Sequence, residues 1–219
     1  MKCNYCNKHC IRKGVRNGVQ QYFCTACRKY QRQAYQRQPI SFDQQQILIK
    51  LNNESVGIRS IARLLHIAAS SVIKYMNQLA STITKPEIMK KGGSYEIDEL
   101  QTYIGKNEPS NYTWIAYAIN RETRVVVDFV VGKRTKENLK TIVEKILASH
   151  PKHIYTDGLN IYKSLIDKTL HKVQRYKINR IERKNLTLRT HLKRLNRRTI
   201  CFSRSLAMLR ACLMIYFFS

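Results

Sequence analysis

Acids are scarce in this sequence. Of its 219 residues, 14 are Asp or Glu against 40 Lys or Arg, a formal net charge of +26. Residues 1–40 contain no acid at all, and Glu182 is the only one after Asp167, among fourteen Lys and Arg between Lys168 and Ser219. So basic a chain points to nucleic acid as its partner, with a ribosomal-type or merely solvated basic protein as the bland reading. An anionic membrane surface fits less well, because the basic residues are spread along the chain rather than gathered beside one apolar face. Long hydrophobic runs are also missing. The most apolar stretch, "SLAMLRACLMIYFF", is too short to span a bilayer and carries Arg210. The start, "MKCNYCNKHC", is polar and cysteine-rich, unlike a secretory leader, so a cytoplasmic protein with reduced thiols and no membrane partner is expected. A hydrophobic fraction of 43% excludes compositional disorder.

Cysteine is present where acid is absent. Five of the seven cysteines fall in residues 1–40, as Cys3-x2-Cys6, seventeen residues, then Cys24-x2-Cys27. Each CxxC can aim two thiolates from one tight turn, and two turns complete a tetrahedral site for one structural Zn²⁺, a zinc ribbon. His9 and Cys10 are spare and either could replace a ligand. Nine Lys or Arg make the region a candidate DNA contact.

Residues 41–82 are helical in pattern. "SFDQQQILIKLNNES" starts with a Ser41 or Asp43 cap and carries Ile47, Ile49 and Leu51. In "VGIRSIARLLHIAASSVIKYMNQL", Ile58, Ile61, Ala62, Leu64 and Leu65 recur at helical spacing, "HIAASS" supplies a turn and a Ser cap, and Val72, Ile73 and Met76 give the next buried face. The pattern is a helix-turn-helix whose second helix would present Ser70, Ser71, Lys74 and Asn77 to a DNA major groove, or else an ordinary helical hairpin. Residues 83–93, with Pro86 and Gly92-Gly93, read as a linker.

Residues 94–219 read as three strands ("SYEIDELQTYIG", "YTWIAYAI", "RVVVDFVVG"), a helix capped near Thr135, the strand "HIYTDG", the short helix "IYKSLI", the strand "HKVQRY" and a long helix from about Arg180. The order predicts a mixed five-stranded sheet covered by helices, the order of the ribonuclease-H-like fold. The whole is thus a multidomain α+β protein with an α/β catalytic part. Asp98 on the first strand, Asp157 ending the fourth and Glu182 at the last helix would then converge. Three carboxylates can hold two Mg²⁺ ions for phosphodiester chemistry. Glu96, Glu99 and Asp128 compete with Asp98. Strand alternation turns Glu99 away from Asp98 and puts Glu96 on its face. Asp157-Gly158 alone could be a turn, and Glu182 alone a helix-start residue.

"IDELQTYIG", "GKRT", "YTDG" followed by Tyr162, and "NRIERKNLTLRTHLKRLNRRTICFSRS" together resemble transposases of the bacterial insertion-sequence-one family, over nearly the whole chain. That resemblance implies a DDE transposase with catalytic Asp98, Asp157 and Glu182, and a basic residue seven positions on, Arg189. It brings Lys184, Asn185 and His191 into the same motif as candidate contacts to DNA or substrate water. It implies binding to terminal inverted repeats, metal-dependent strand cleavage and strand transfer on double-stranded DNA, near the nucleoid, by a homodimer or higher oligomer. The helix 205–218 is a candidate interface, beside its commoner use in a core. Gln101 stands where the family tends to have Trp. The alternative is a zinc-ribbon and helix-turn-helix repressor with an inactive catalytic remnant.

Overall fold

The computed structural model describes residues 1–32, 40–88, 91–173 and 179–219. They form two compact units, Met1–Ser41 and Phe42–Ser219. In the first unit three strands, β1 (Cys10–Arg16), β2 (Val19–Cys24) and β3 (Tyr30–Arg32), form an antiparallel sheet in the order β1-β2-β3. Its buried cluster contains Cys3, Cys10, Tyr22 and Cys24 with Cys6 and Cys27 packed against it, so thiols stand where aliphatic side chains would normally fill a core.

The second unit opens with α1 (Phe42–Asn53), α2 (Ile58–Leu64) and α3 (Ala69–Thr82). The buried residues of α1 are Leu48 and Asn52, while Ile47 is exposed, so its face is rotated from the Ile47-Ile49-Leu51 run. The α3 N-cap is Ala68, with no side-chain cap bond, rather than a serine. Ile61, Ala62, Leu65, Val72 and Met76 meet in one cluster, as helical spacing requires.

Then come β4 (Ser94–Tyr103), β5 (Tyr112–Asn120), β6 (Val126–Gly132), α4 (Lys136–Leu147), β7 (His153–Thr156), α5 (Asn160–Lys163), β8 (His171–Val173), α6 (Asn179–His191) and α7 (Leu206–Phe218). The mixed sheet runs β6-β5-β4-β7-β8, with β4, β5 and β6 antiparallel and β7 parallel to both β4 and β8. Residues 174–176 of the expected strand "HKVQRY" lie outside the described residues. Alternation along β4 sends Tyr95 and Ile97 to the α4 and α5 side and Leu100 to the α6 and α7 side. Thr135 caps α4, its hydroxyl accepting from the Asn138 N–H.

Helix α7 is a core element. Leu209 and Leu213 pack toward the sheet, while Met208, Ala211, Cys212 and Ile215 complete the α1–α3 cluster. Buried Asn52 adds a hydrogen bond to the Cys212 carbonyl at 3.2 Å. The apolar run is thus spent inside the unit, the commoner of the two uses weighed for this helix. Asp128 is likewise accounted for by a linker contact, pairing with Lys85 at 2.5 Å.

Candidate active site

Strands β4 and β7 pair only from Ser94 to Glu96 against His153 to Tyr155. Two residues past the Glu96–Tyr155 pair stand Asp98 and Asp157, side by side where β7 ends and the edge of β4 opens. Parallel register makes this juxtaposition, with 58 residues of chain between them.

Asp98 faces α6. Asn185 of that helix donates its amide to Oδ2 at 2.6 Å, and the Glu99 backbone N–H donates to Oδ1 at 2.8 Å. Asn185 is itself oriented by the Tyr117 hydroxyl, 2.8 Å from its Oδ1, and Tyr117 lies directly opposite Asp98 across β5. Burial, reinforced by the Glu99 and Asp157 charges, raises the Asp98 carboxyl to about 6. The side chain of Asp157 accepts from the Leu159 N–H at 3.0 Å, and Gly158 turns the chain with φ +95°, where a side chain would be strained.

The competing acids separate cleanly. Glu96 does share the face of Asp98, but it is fully buried and accepts from the Ile181 N–H at 3.0 Å in the first turn of α6. Arg121 at 2.8 Å and Arg180 at 3.6 Å neutralise it, so its task is to anchor α6. Glu99 corrects the alternation argument. Its backbone does point to the α5 side, yet its carboxylate reaches round the open edge of β4, and Asp98, Glu99 and Asp157 each offer an oxygen within 4.8 Å of the others. Alternation predicts where Cβ points, not where a long side chain ends beside an unpaired edge.

Glu182 stands apart from that trio. It is exposed on α6, one turn before Asn185, and lines a cavity of about 380 Å³ with Glu99, Gln101, Trp114, Asn185, Arg189 and Arg197. Arg189 follows after nearly two turns on the same side and is tied to the carbonyls of Leu195 and Gln101. Burial holds the Lys184 ammonium below its usual range, and His191 is exposed and hydrogen-bonded to the Tyr216 hydroxyl at 2.8 Å.

The match between this site and known proteins covers the same segment. The profile of the family described as IS1 transposase spans residues 94–217, over half of the chain. The chain belongs to the IS1 transposase family. Over 110 residues, 50% of its length, it is 38% identical to Insertion element IS1 protein InsB of Shigella flexneri and covers 82% of that protein. Over the same length it is 36% identical to Insertion element iso-IS1n protein InsB of Shigella dysenteriae, of which it covers 82%. It is also 36% identical to Insertion element IS1 2 protein InsB of Escherichia coli (strain K12), of which it covers 65%. Transposases process DNA, which accords with the charge of the chain.

Outside that matched segment, the IS1-family chain carries a second cluster able to hold a metal. Cys3, Cys6, Cys24 and Cys27 place their sulfurs within 4.8 Å of one another. The Cys3–Cys27 and Cys6–Cys24 separations of 3.5 and 3.4 Å are too long for disulfides. The two CxxC turns repeat one geometry. Cys3 N–H donates to the Lys8 carbonyl and Cys24 N–H to the Lys29 carbonyl, at 2.8 and 3.0 Å. The residue after each second cysteine, Asn7 or Arg28, adopts a left-handed φ of 61° or 55°. Four soft sulfurs suit zinc, whereas the all-oxygen set at Asp98 suits a hard divalent ion. Cys10, buried beside Cys24, is not in the group of four.

On α3, Ser70, Lys74 and Asn77 are exposed and Ser71 is half-buried, with the Asn77 amide donating to the Ile73 carbonyl at 3.0 Å. Sequence reasoning missed Tyr117, Arg134 and the holding role of Asn185. Arg134 and Asn185 were inside quoted motifs, and Tyr117 was marked only by its place opposite Asp98.

Proposed function

We propose that this chain cuts DNA at the ends of an insertion element and joins the freed 3′ ends to target DNA. The observation that carries this reading is the meeting of Asp98 and Asp157 with Glu99, which in turn lines a cavity together with Glu182, Arg189 and Arg197. On this reading residues 94–219 form a ribonuclease-H-like domain, Asp98, Asp157 and Glu182 hold two Mg²⁺, and residues 1–40 form a zinc ribbon with Cys3, Cys6, Cys24 and Cys27 around one Zn²⁺. Residues 41–82 form a helix-turn-helix that reads the terminal repeats through Ser70, Ser71, Lys74 and Asn77. Two ends must be handled together, so the working form is a dimer or larger.

Bound Mg²⁺ would supply charge neutralisation at the phosphate and acidify the attacking oxygen. The remaining tasks belong to the protein. Asn185 fixes the orientation of Asp98, and the Leu159 N–H fixes that of Asp157. Arg189 pairs with a phosphate oxygen, and its ties to two carbonyls keep it extended for that contact. In the first step a water oxygen attacks phosphorus and the bond to the 3′ oxygen breaks. In the second that 3′ hydroxyl attacks a target phosphodiester and displaces another 3′ oxygen. Glu182, exposed on α6 one turn before Asn185, would be the third carboxylate to hold the metal.

The test is a labelled-end assay in Mg²⁺. Asp157→Asn is expected to lower cleavage roughly 10³-fold or more while leaving end binding intact. Retained cleavage in this variant sinks the assignment. Cutting without joining by the unaltered chain would identify a nuclease, and tight binding with no cutting a repressor.

A further inference from the structure

Three residues of the quoted motifs, Glu99, Arg134 and Tyr162, are not among the proposed metal ligands, yet they converge. Glu99 of "IDELQTYIG" accepts a hydrogen bond from the Tyr162 hydroxyl at Oε1. At Oε2 it pairs with Arg134 of "GKRT", Nε at 3.1 Å and Nη2 at 2.9 Å. The same guanidinium comes within 4.0 Å of Asp157 Oδ2 and lies over the Trp114 ring, 4.6 Å from its centroid. The turn that carries it is built closely. A Cβ on Gly132 would come 2.8 Å from the Asn138 amide, which donates to the Lys133 carbonyl at 2.7 Å, and Thr135 caps α4. The Tyr162 ring is fully buried, so Glu99 is held from below and Arg134 is held by Glu99.

We propose that Glu99 is a positioning residue and not a metal ligand, and that it aims Arg134 at a non-bridging oxygen of the scissile phosphate. This rests on the transposase reading above. Both Glu99 oxygens already have donors, so it has less to offer an ion than Asp98 or Asp157 despite its proximity. The Glu99–Arg134 pair carries no net charge of its own. It fixes a partly exposed cation beside Asp157, where a phosphate bound at that carboxylate's metal would present an oxygen. A guanidinium stacked on Trp114 and gripped from one side retains N–H groups for such a contact.

Two measurements on the full chain decide it. The first is Mn²⁺ binding without DNA, read by electron paramagnetic resonance. Glu99→Gln keeps an acceptor for Tyr162 and loses the ion pair, and it is expected to bind Mn²⁺ within about threefold of the unaltered chain. Asp157→Asn should lose tenfold or more in the same assay. A Glu99→Gln loss equal to that of Asp157→Asn makes Glu99 a ligand and overturns the proposal. The second is strand cleavage. Arg134→Ala is expected to lower kcat on the order of 10²-fold with KM little changed, and added guanidinium ion to restore part of it. The double variant Glu99→Gln with Arg134→Ala removes the pair together, so no buried charge is stranded. If the double variant regains normal kcat, Arg134 merely neutralises Glu99 and the proposal fails. If it stays as slow as Arg134→Ala, the guanidinium acts on substrate. Full cleavage by Asp157→Asn would instead discard the transposase assignment beneath it.

Discussion

The molecule carries two clusters able to hold metal, and they are built in opposite ways. The four cysteines come from two copies of one local turn within 25 consecutive residues, and they replace the core of their unit. The carboxylates come from β4 and the end of β7 and sit on a sheet whose core is complete without them. One cluster makes its fold; the other is carried by its fold. The difference predicts opposite responses to metal removal. Structural zinc contributes on the order of 10 kcal/mol in small zinc modules, more than so thin a core can replace. A strong zinc chelator, or Cys24→Ser, is therefore expected to unfold Met1–Ser41 and leave Phe42–Ser219 folded, read residue by residue by amide NMR. Survival of the Cys10–Cys24 pairing without metal would erase the contrast.

The carboxylate site should show the reverse. Asp98 rises from 3.8 to about 6, so the fold favours its protonated form. Its contribution to stability is fully present below pH 3.8 and is lost as pH rises through about 6, a change of ~3 kcal/mol. At neutral pH the metal-free protein thus carries an unfavourable buried charge. Asp98→Asn is expected to raise the melting temperature in chelator at pH 7, to flatten the pH dependence between 4 and 6, and to remove stabilisation by added Mg²⁺. A fall in melting temperature at pH 7 would show that Asp98 is satisfied by its present partners.

Asn185 links this charge to the fold. Asn185→Ala removes a donor from Asp98 and an acceptor from Tyr117. The expected cost is ~1–2 kcal/mol by chemical denaturation. A larger proportional loss should appear in cleavage rate than in end binding, because the misdirected group is the carboxylate and not a phosphate contact. Equal losses in both would return Asn185 to the DNA-facing role that its motif suggests.

The contrast also explains what could be read in advance. Sulfur ligands at fixed local spacing announce themselves, and so did the strand and helix order from Ser94 onward, because each element keeps its own period. Asp98 and Asp157 were legible because parallel pairing brings the ends of neighbouring strands together. Glu99 was not, since its position depends on where β7 stops pairing and on a tyrosine arriving from α5. The apolar run of α1 does not mark its most buried positions, because Asn52, whose amide donates to the Cys212 carbonyl, is buried beside Leu48 while Ile49 and Leu51 are only partly covered. Helix α7 was ambiguous for a simpler reason: an apolar helix does not say whether its second face meets a partner or another part of its own chain.

Each cluster has a neighbour of the right chemistry that geometry sets aside, and the smallest expected effect tests the cysteine case. Cys10 is buried and opposite Cys24 in the β1–β2 register, but its sulfur is not one of the four that converge. A buried thiol whose sulfur stands outside the converging four serves as a small apolar side chain. Cys10→Ala is therefore expected to keep one zinc per chain and the amide spectrum of the unit, with only a slight loss of thermal stability. Loss of zinc in this variant, with retention in Cys6→Ala, would mean that the fifth cysteine is a ligand and that the symmetric pair of turns is not the rule by which the site is built.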